Sequence, residues 1–460
     1  MLYQVTTRRP RKYPKVLELR DETGLDRISS LPDELIAHIL SFLPTLSAVK
    51  TSILSTRWRY LFTLTTNLSF NDAEYYSFHD VPMDYGNEAF KKTFETFVYG
   101  ILALHSVSPI QKFSLQCNYQ YGCSHLLVWI SAAILKRVKR LQLHLNPYPN
   151  SLPQCIFNSR TLVILEIDSH SPKYYQLKIP GLVSLPSLRI LELCKIIFPD
   201  GDSVNRLFVG CSQLKELTLD RCELLNTDHA HISAKALRNL TASHCKGHFV
   251  IDAPNVENLW YACSPNTADV DVTSSLKTPC SLHTVELGFV DSAGYEPPQI
   301  VLDIIRGAYY VRNFVLLYNS VKVLPMVKED QIPYSKLESL YLGFCCYDTW
   351  KYVTFWLANS LQLETIIFGM GLLDYDAMYT VQPKIALDPF SSNIKTIEIR
   401  QFVGHKLELL LVKYLLENAK VLKRLILVKC SSMKYEKELQ VSKKLLKLPK
   451  ASKYCIIELK

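Results

Sequence analysis

The sequence predicts a two-part α/β chain: a short N-terminal unit of three helices, then a curved solenoid with a parallel β-sheet on its concave face and helices or loops on its convex face. Three observations predict it. Residues 30–44, SLPDELIAHILSFLP, set aliphatic side chains at helical spacing between two prolines. A pattern of apolar-x-x-apolar-x-apolar then recurs thirteen times, starting at positions 110 to 422, and its twelve intervals average 26 residues. Three residues past the last apolar site of the pattern stand Asn118, Asn146, Cys222, Cys245, Asn319, Cys345 and Cys430.

The first element begins where Ser30 can cap a helix, with Pro32 and Asp33 in its first turn. There a missing N–H costs nothing and a negative charge suits the helix dipole. Leu35, Ile36, Ile39, Leu40 and Leu43 make one aliphatic face and Pro44 closes the segment. A second helical stretch, LSAVKTSILSTRWRYLF, carries Val49, Ile53, Leu54 and Trp58 as its apolar points. A domain of about 40 residues buries too little surface to fold confidently alone, so these helices need something to pack on.

The run DRISSLPDELIAHILSFLPTLSAVKTSILSTRWRYLF, Asp26 to Phe62, resembles an F-box. The resemblance rests on Leu31-Pro32, the ILSFLP run and the ending Ser55-Thr56-Arg57-Trp58-Arg59. It implies an F-box over 26–70 that binds a Skp-type adaptor and, through it, cullin and RING subunits. Leu31, Pro32, Leu35, Ile39, Leu40, Leu43, Val49, Ser55 and Trp58 would make or support that contact. Residues 1–25 precede it as a basic flexible tail, in which RRPRK at 8–12 has the composition of a nuclear-localisation signal.

The repeats come next. Clear copies are LVILEI (162), LRILEL (188), LKELTL (214), LHTVEL (282), LESLYL (337), LETIIF (363) and LKRLIL (422), with weaker ones between them. A period near 26 falls within the roughly 20–29 residues of a leucine-rich repeat. In that repeat the Asn or Cys position turns inward and satisfies the backbone as the strand ends. Segments such as DTWKYVTFWLANS and KLELLLVKYLLENA carry helical spacing between strands. Each coil therefore supplies one strand and one helix or loop, and neighbours bury each other's apolar edges. The repeats are expected over 105–385, after a connector or irregular first coil at 71–104.

Residues 392–430, SNIKTIEIRQFVGHKLELLLVKYLLENAKVLKRLILVKC, are similar to the FBD domain that ends many plant F-box proteins built on leucine-rich repeats. The pieces are a strand, the turn at Gly404, a helix over Leu409 to Glu417, and the strand that follows Asn418. An FBD region with a basic C-terminal tail is thus expected over 386–460.

Apolar residues at 48% and charged residues at 21% exclude a disordered chain or a fibre. The net charge of +9 is concentrated: residues 420–460 hold twelve Lys and Arg against Glu436, Glu438 and Glu458. Without an interleaved aromatic pattern this reads as a solvated end, and no nucleic-acid partner is expected. Thirteen cysteines, an odd number without a CxxC pair, suit reduced thiols. No apolar run spans a bilayer, so no membrane partner is expected, and no secretory leader is recognisable; the chain is expected in the cytoplasm, the nucleus or both.

No GxxxxGK[ST], GxGxxG or GxSxG occurs, and nothing singles out a nucleophile. His229, His231, His244, Cys245 and His248 lack the tight paired spacing of a zinc site. Catalytic residues, metal ligands and cofactors are therefore none. Side chains alternate along a strand, so the x positions of each motif face the concave surface. They make Glu166, Glu192, Asp220, Trp260, Glu286, Tyr341, Glu398 and Arg400 the client-groove candidates. Glu166 and Glu192 should face each other on adjacent strands, about 5 Å apart, where a basic residue of a protein client would neutralise them. Together the resemblances imply a non-catalytic substrate receptor of an SCF-type cullin-RING ubiquitin ligase that holds a protein client on its repeats. The alternative is an F-box scaffold that binds the adaptor without client turnover.

Overall fold

The computed structural model describes residues 28, 30–78, 88–105, 109–146, 151–169, 174–226, 229–264, 270–272, 281–289, 297–318, 320, 323, 336–343, 360–370 and 393–460. The chain divides into two units, Met1–Thr65 and Thr66–Lys460.

In the first unit the aliphatic segment forms α1 (Asp33–Leu40) and stops short of Pro44. Continuing the helix would need an N–H from Pro44 to the Leu40 carbonyl, and proline has none. The cap position is Pro32, without a side-chain cap, so Ser30 is not the cap the sequence suggested. The Ser41 hydroxyl instead donates to the His38 carbonyl at the far end, 2.6 Å away. The second stretch breaks into α2 (Thr45–Lys50) and two 3₁₀ turns, Thr51–Ile53 and Trp58–Leu64. Thr51 explains part of the break, since its hydroxyl bonds the Ala48 carbonyl and competes with the helix ladder. Ile36, Ala37, Leu40, Ala48, Trp58, Leu61 and Phe62 are buried. Arg57 fastens the start of the last turn to the start of α1 through Asp33, with Nη2 2.6 Å and Nε 2.9 Å from Oδ1.

The second unit is organised by one fifteen-stranded sheet whose spatial order is the chain order. Its strands are β1 (Asn67–Asn71), β2 (Lys112–Cys117), β3 (Arg140–Leu145), β4 (Ile164–Ser169), β5 (Ile190–Cys194), β6 (Glu216–Asp220), β7 (Asn239–Ser243) and β8 (Asn258–Cys263). It continues through β9 (Thr284–Phe289), β10 (Asn313–Tyr318), β11 (Ser339–Leu342), β12 (Thr365–Phe368), β13 (Thr396–Phe402), β14 (Arg424–Lys429) and β15 (Ile456–Leu459). All its pairings are parallel. Parallel neighbours need a crossover between them, and a coil near 26 residues supplies one. The apolar sites of the motif all turn to one side: Phe113 and Leu115, Leu141 and Leu143, Leu191 and Leu193 are sealed. Each such side chain contributes about 1.5–3 kcal/mol by burial.

Strand ends follow a rule of their own. Lys195, Arg221, His244 and Gln401 have φ between 49° and 56°, the left-handed region, which costs a non-glycine residue about 1–2 kcal/mol. The amides of the first three donate to the next coil, to Asp220, Ser243 and Ala262 carbonyls at 2.7–2.8 Å, which offsets that cost. The turn then drives the following residue inward: Ile196, Cys222, Cys245 and Phe402 are buried. The Cys222 thiol donates to the Leu193 carbonyl (3.3 Å) and the Cys245 thiol to the Leu219 carbonyl (3.4 Å), one coil back. Asn146 reaches the Asn118 carbonyl in the same way, at 3.5 Å. Cys430 departs from the expectation, since it is only half-buried and faces the Ser432 hydroxyl at 3.2 Å. Asn319 and Cys345 lie outside the described residues, as does DTWKYVTFWLANS apart from Ser360.

Three expectations are corrected. The first strand of the sheet, β1, starts at Asn67, so the first unit ends before 70. Of the two readings of 71–104, a connector or an irregular first coil, the described residues fit the second: they contain α3 (Asp72–Phe78) and α4 (Glu88–Leu104), the helical half of a first coil. Buried Asp72 closes that coil by accepting the Asn118 and Tyr119 amides at 2.8 and 3.0 Å and the Asn118 side chain at 2.8 Å. The basic C-terminal stretch is not a tail. After α5 (Cys123–Leu135), α6 (Gly201–Val209), α7 (Gln299–Gly307) and α8 (Lys406–Asn418), it forms α9 (Tyr435–Leu445) and β15. Its Val441 and Leu445 are buried, and Val441 sits where a Cβ on Gly404 (φ +72°) would come within 2.5 Å of it. Between β4 and β9 short strands, such as Ile196–Phe198 and Phe249–Asp252, stand on the return path where helices or loops were expected.

Candidate functional site

The first unit leaves aliphatic surface uncovered. On α1 the residues Ile36 and Leu40 face inward while Leu35, Ile39 (47% exposed) and Leu43 face solvent. Pro32 and Ser55 are exposed, and Leu31 and Val49 half-buried. Leu40 and Trp58, by contrast, are buried, so they can support an adaptor contact and cannot touch it. The adaptor contacts named from the sequence leave out the most exposed large apolar side chains of 30–65, Phe42 (74% exposed), Ile53 (88%), Leu54 and Tyr60. Phe42 had a signal: it follows Leu35 and Ile39 at the i, i+4, i+7 spacing of one helix face.

In the second unit the open sheet face shows two aligned rows. One runs Gln142, Glu166, Glu192, Thr218, Thr241, Trp260, Glu286, Val315 and Tyr341 on successive strands, then Ile367, Glu398, Ile426 and Glu458. The predicted candidates Glu166, Glu192, Trp260, Glu286, Tyr341 and Glu398 all fall on it. Glu166 and Glu192 are register partners as the motif predicted, yet the chain already answers the first charge. Arg140 approaches Glu166 Oε1 at 2.7 Å and Gln142 donates to its other oxygen, leaving the residue buried. Glu166 is therefore withdrawn as a client contact. Glu192 stays exposed, and partial burial of its surroundings, then the Glu166 charge, lift its carboxyl above the usual range while Arg140 and His144 oppose them.

The second row carries a polar ladder: His144, Asp168, Cys194, Asp220 and Ser243 on β3 to β7. His144 Nδ1 lies 3.4 Å from Asp168, the Cys194 thiol 3.2 Å from Asp220, and the Ser243 hydroxyl donates to Asp220. Burial and these carboxylates push the Cys194 thiol well up, so it stays protonated. A neutral thiol between two acids is a poor nucleophile. The ladder ties strands together, and Asp220 is engaged in it. Farther along, Arg400 stacks over the Tyr341 ring (5.6 Å to its centre) and bonds Glu398 Oε1 through Nε at 2.6 Å. A Cβ on Gly369 would collide with the Tyr341 hydroxyl, so the glycine lets the phenol lie across the strand end. Trp260 and Glu286, neighbours in register, are half-buried.

Among the described residues no group of three or more His, Cys, Asp or Glu side chains could hold a metal ion, and no helix is long and apolar enough to cross a membrane. The His229 and His231 rings pack edge to face at 5.1 Å.

A helical unit with a bare aliphatic face, joined to a parallel-strand repeat sheet, defines a class of two-part repeat proteins. Sequence families sharpen this. The F-box domain matches residues 28–68, the leucine-rich repeats of the FBD-associated F-box protein At5g56370 match 126–329, and the FBD matches 382–427. The F-box/LRR-repeat protein At3g59200 of Arabidopsis thaliana is 31% identical, over 95% of this chain and 89% of its own length. The F-box/LRR-repeat protein At4g14103 of the same plant is also 31% identical, over 76% of this chain and 92% of its own. The chain belongs to the F-box/LRR-repeat family, with an FBD at its C-terminal end.

Proposed function

We propose that this protein is a non-catalytic substrate receptor of an SCF-type cullin-RING ubiquitin ligase. The uncovered Leu35, Ile39, Phe42 and Leu43 carry the reading, since a folded unit rarely leaves that many neighbouring apolar side chains to water without a partner. A Skp-type adaptor is the partner its family implies. The open sheet face would hold a protein client, with Trp260 and Tyr341 as aromatic anchors and Glu192 for a basic side chain. The ligase's gain is then proximity: client lysines are held near a loaded conjugating enzyme supplied by other subunits.

Changing Leu31 and Pro32 together to Ala tests the dock. The expected outcome is loss of adaptor pull-down with the circular dichroism of the repeat unit unchanged. Pull-down at the wild-type level would defeat the proposal. Ubiquitination of a captured client in the reconstituted ligase separates a receptor from a scaffold that binds the adaptor alone.

A further inference from the structure

The lysine-rich end of the chain is a fixed surface. Lys434, Lys437, Lys443, Lys444, Lys447 and Lys453 form no ion pair among the described residues. Glu438 and Glu458 are taken, the first by Lys429 at 2.8 Å and the second by Arg424 and Lys460 at 2.8 and 2.9 Å. Beside this charge lie exposed Leu446, Tyr454 and Ile456, the last on β15 itself.

β15 is the last strand of the sheet. Its Ile456 and Lys460 amides donate to Lys423 and Leu427 carbonyls, and the Lys460 carbonyl accepts from Lys429, so the even positions face β14. By the alternation of a ladder, Ile457 and Leu459 turn their N–H and C=O groups to the outer side, where no described strand pairs with them. An edge of this kind is a template for another strand, and lysines beside it either guard it or select what pairs there.

We propose that the outer edge of β15 docks an acidic, extended segment of a partner protein as a further strand, with the surrounding lysines reading its carboxylates. Two features favour a peptide over the other two classes of partner, a nucleic acid or a membrane. The edge offers backbone hydrogen bonds that only a peptide can return. The cluster is almost wholly lysine, without the forked arginines that read phosphate. Its test changes no residue of the adaptor dock and none of the client-face candidates.

The experiment titrates the full chain into a dye-labelled peptide of alternating valine and glutamate, with fluorescence anisotropy as the readout. Parallel arms use the same peptide N-methylated at every second amide, its lysine counterpart, oligothymidylate, and phosphatidylserine vesicles. Saturable binding of the acidic peptide is expected, weakened about tenfold or more by N-methylation and by Lys447→Glu with Lys453→Glu. Ile457→Pro should weaken it equally while keeping the thermal melt, because the lost N–H points outward. Equal binding of the methylated peptide would reduce the effect to bulk charge and overturn the proposal. So would absence of binding, including the case in which charge reversal only makes the chain self-associate, or a preference for oligothymidylate or vesicles.

Discussion

Ile39 and Leu40 are neighbours on a helix, and Glu192 and Leu193 are neighbours on a strand, but the two regions divide their side chains differently. In the sheet, every aliphatic side chain of the motif is sealed, and the opposite face carries polar side chains over β3 to β7, with Trp260, Val315, Tyr341, Ile367 and Ile426 farther along. In the first unit aliphatic residues lie on both sides, Leu40 buried and Ile39 half in water. The sheet has satisfied its apolar surface with its own repeats. The helical unit has not, and that difference separates residues that hold the fold from residues that await a partner.

The largest expected effects break the sheet side of this comparison. Leu193→Ala empties a fully buried site and should cost about 2–5 kcal/mol, read as a lowered denaturation midpoint. A change under about 0.5 kcal/mol would show that neighbouring coils do not depend on each other as a stacked repeat must. Asp72→Ala comes next, at about 3 kcal/mol, since it strands two backbone amides in a buried place. Asp72→Asn should recover only part of this, because an amide offers one acceptor oxygen where the carboxylate offers two.

On the helical side the same kind of truncation should act on binding alone. Ile39→Ala with Leu43→Ala is expected to weaken the adaptor complex about 100-fold, about 2.7 kcal/mol, by calorimetric titration. The denaturation midpoint should move by no more than about 0.5 kcal/mol, because both side chains already meet water. A large loss of stability with unchanged affinity would reverse the assignment of this face.

What could be read from the sequence follows the same division. The sheet was legible because a period of two within each strand and one of about 26 between strands repeat often enough to average out weak copies. β1 escaped because Leu68 and Phe70 follow the first unit without a break, and only Asn67–Asn71 of that coil carries the alternation. The pairing of Arg140 with Glu166 escaped because the two are 26 residues apart. Aligning VKRLQL with LVILEI would have set them one strand and two residues apart, within reach of a long side chain. The folded nature of 430–460 escaped because lysines hide a sparse core of Val441, Leu445 and Cys455. Charge composition speaks of solvation and is silent about a strand that needs only one buried side.

The smallest effect sharpens the contrast within the sheet face, between Glu166, which Arg140 binds directly, and Glu192, which forms no ion pair among the described residues. A carboxyl raised above its ordinary value means that the folded state disfavours the ionised form. Glu192→Gln should therefore stabilise the chain at pH 7, by about 0.2–1 kcal/mol for a like-charge pair facing across strands. That gain is full above the raised folded value and vanishes as pH falls through it toward the unfolded value near 4.3, where wild-type Glu192 is itself neutral. Urea midpoints of wild type and variant at pH 7 and near pH 4 measure the difference. A gain of equal size at both pH values would mean that the glutamine packs better, and the charge of Glu192 would then have no part in it.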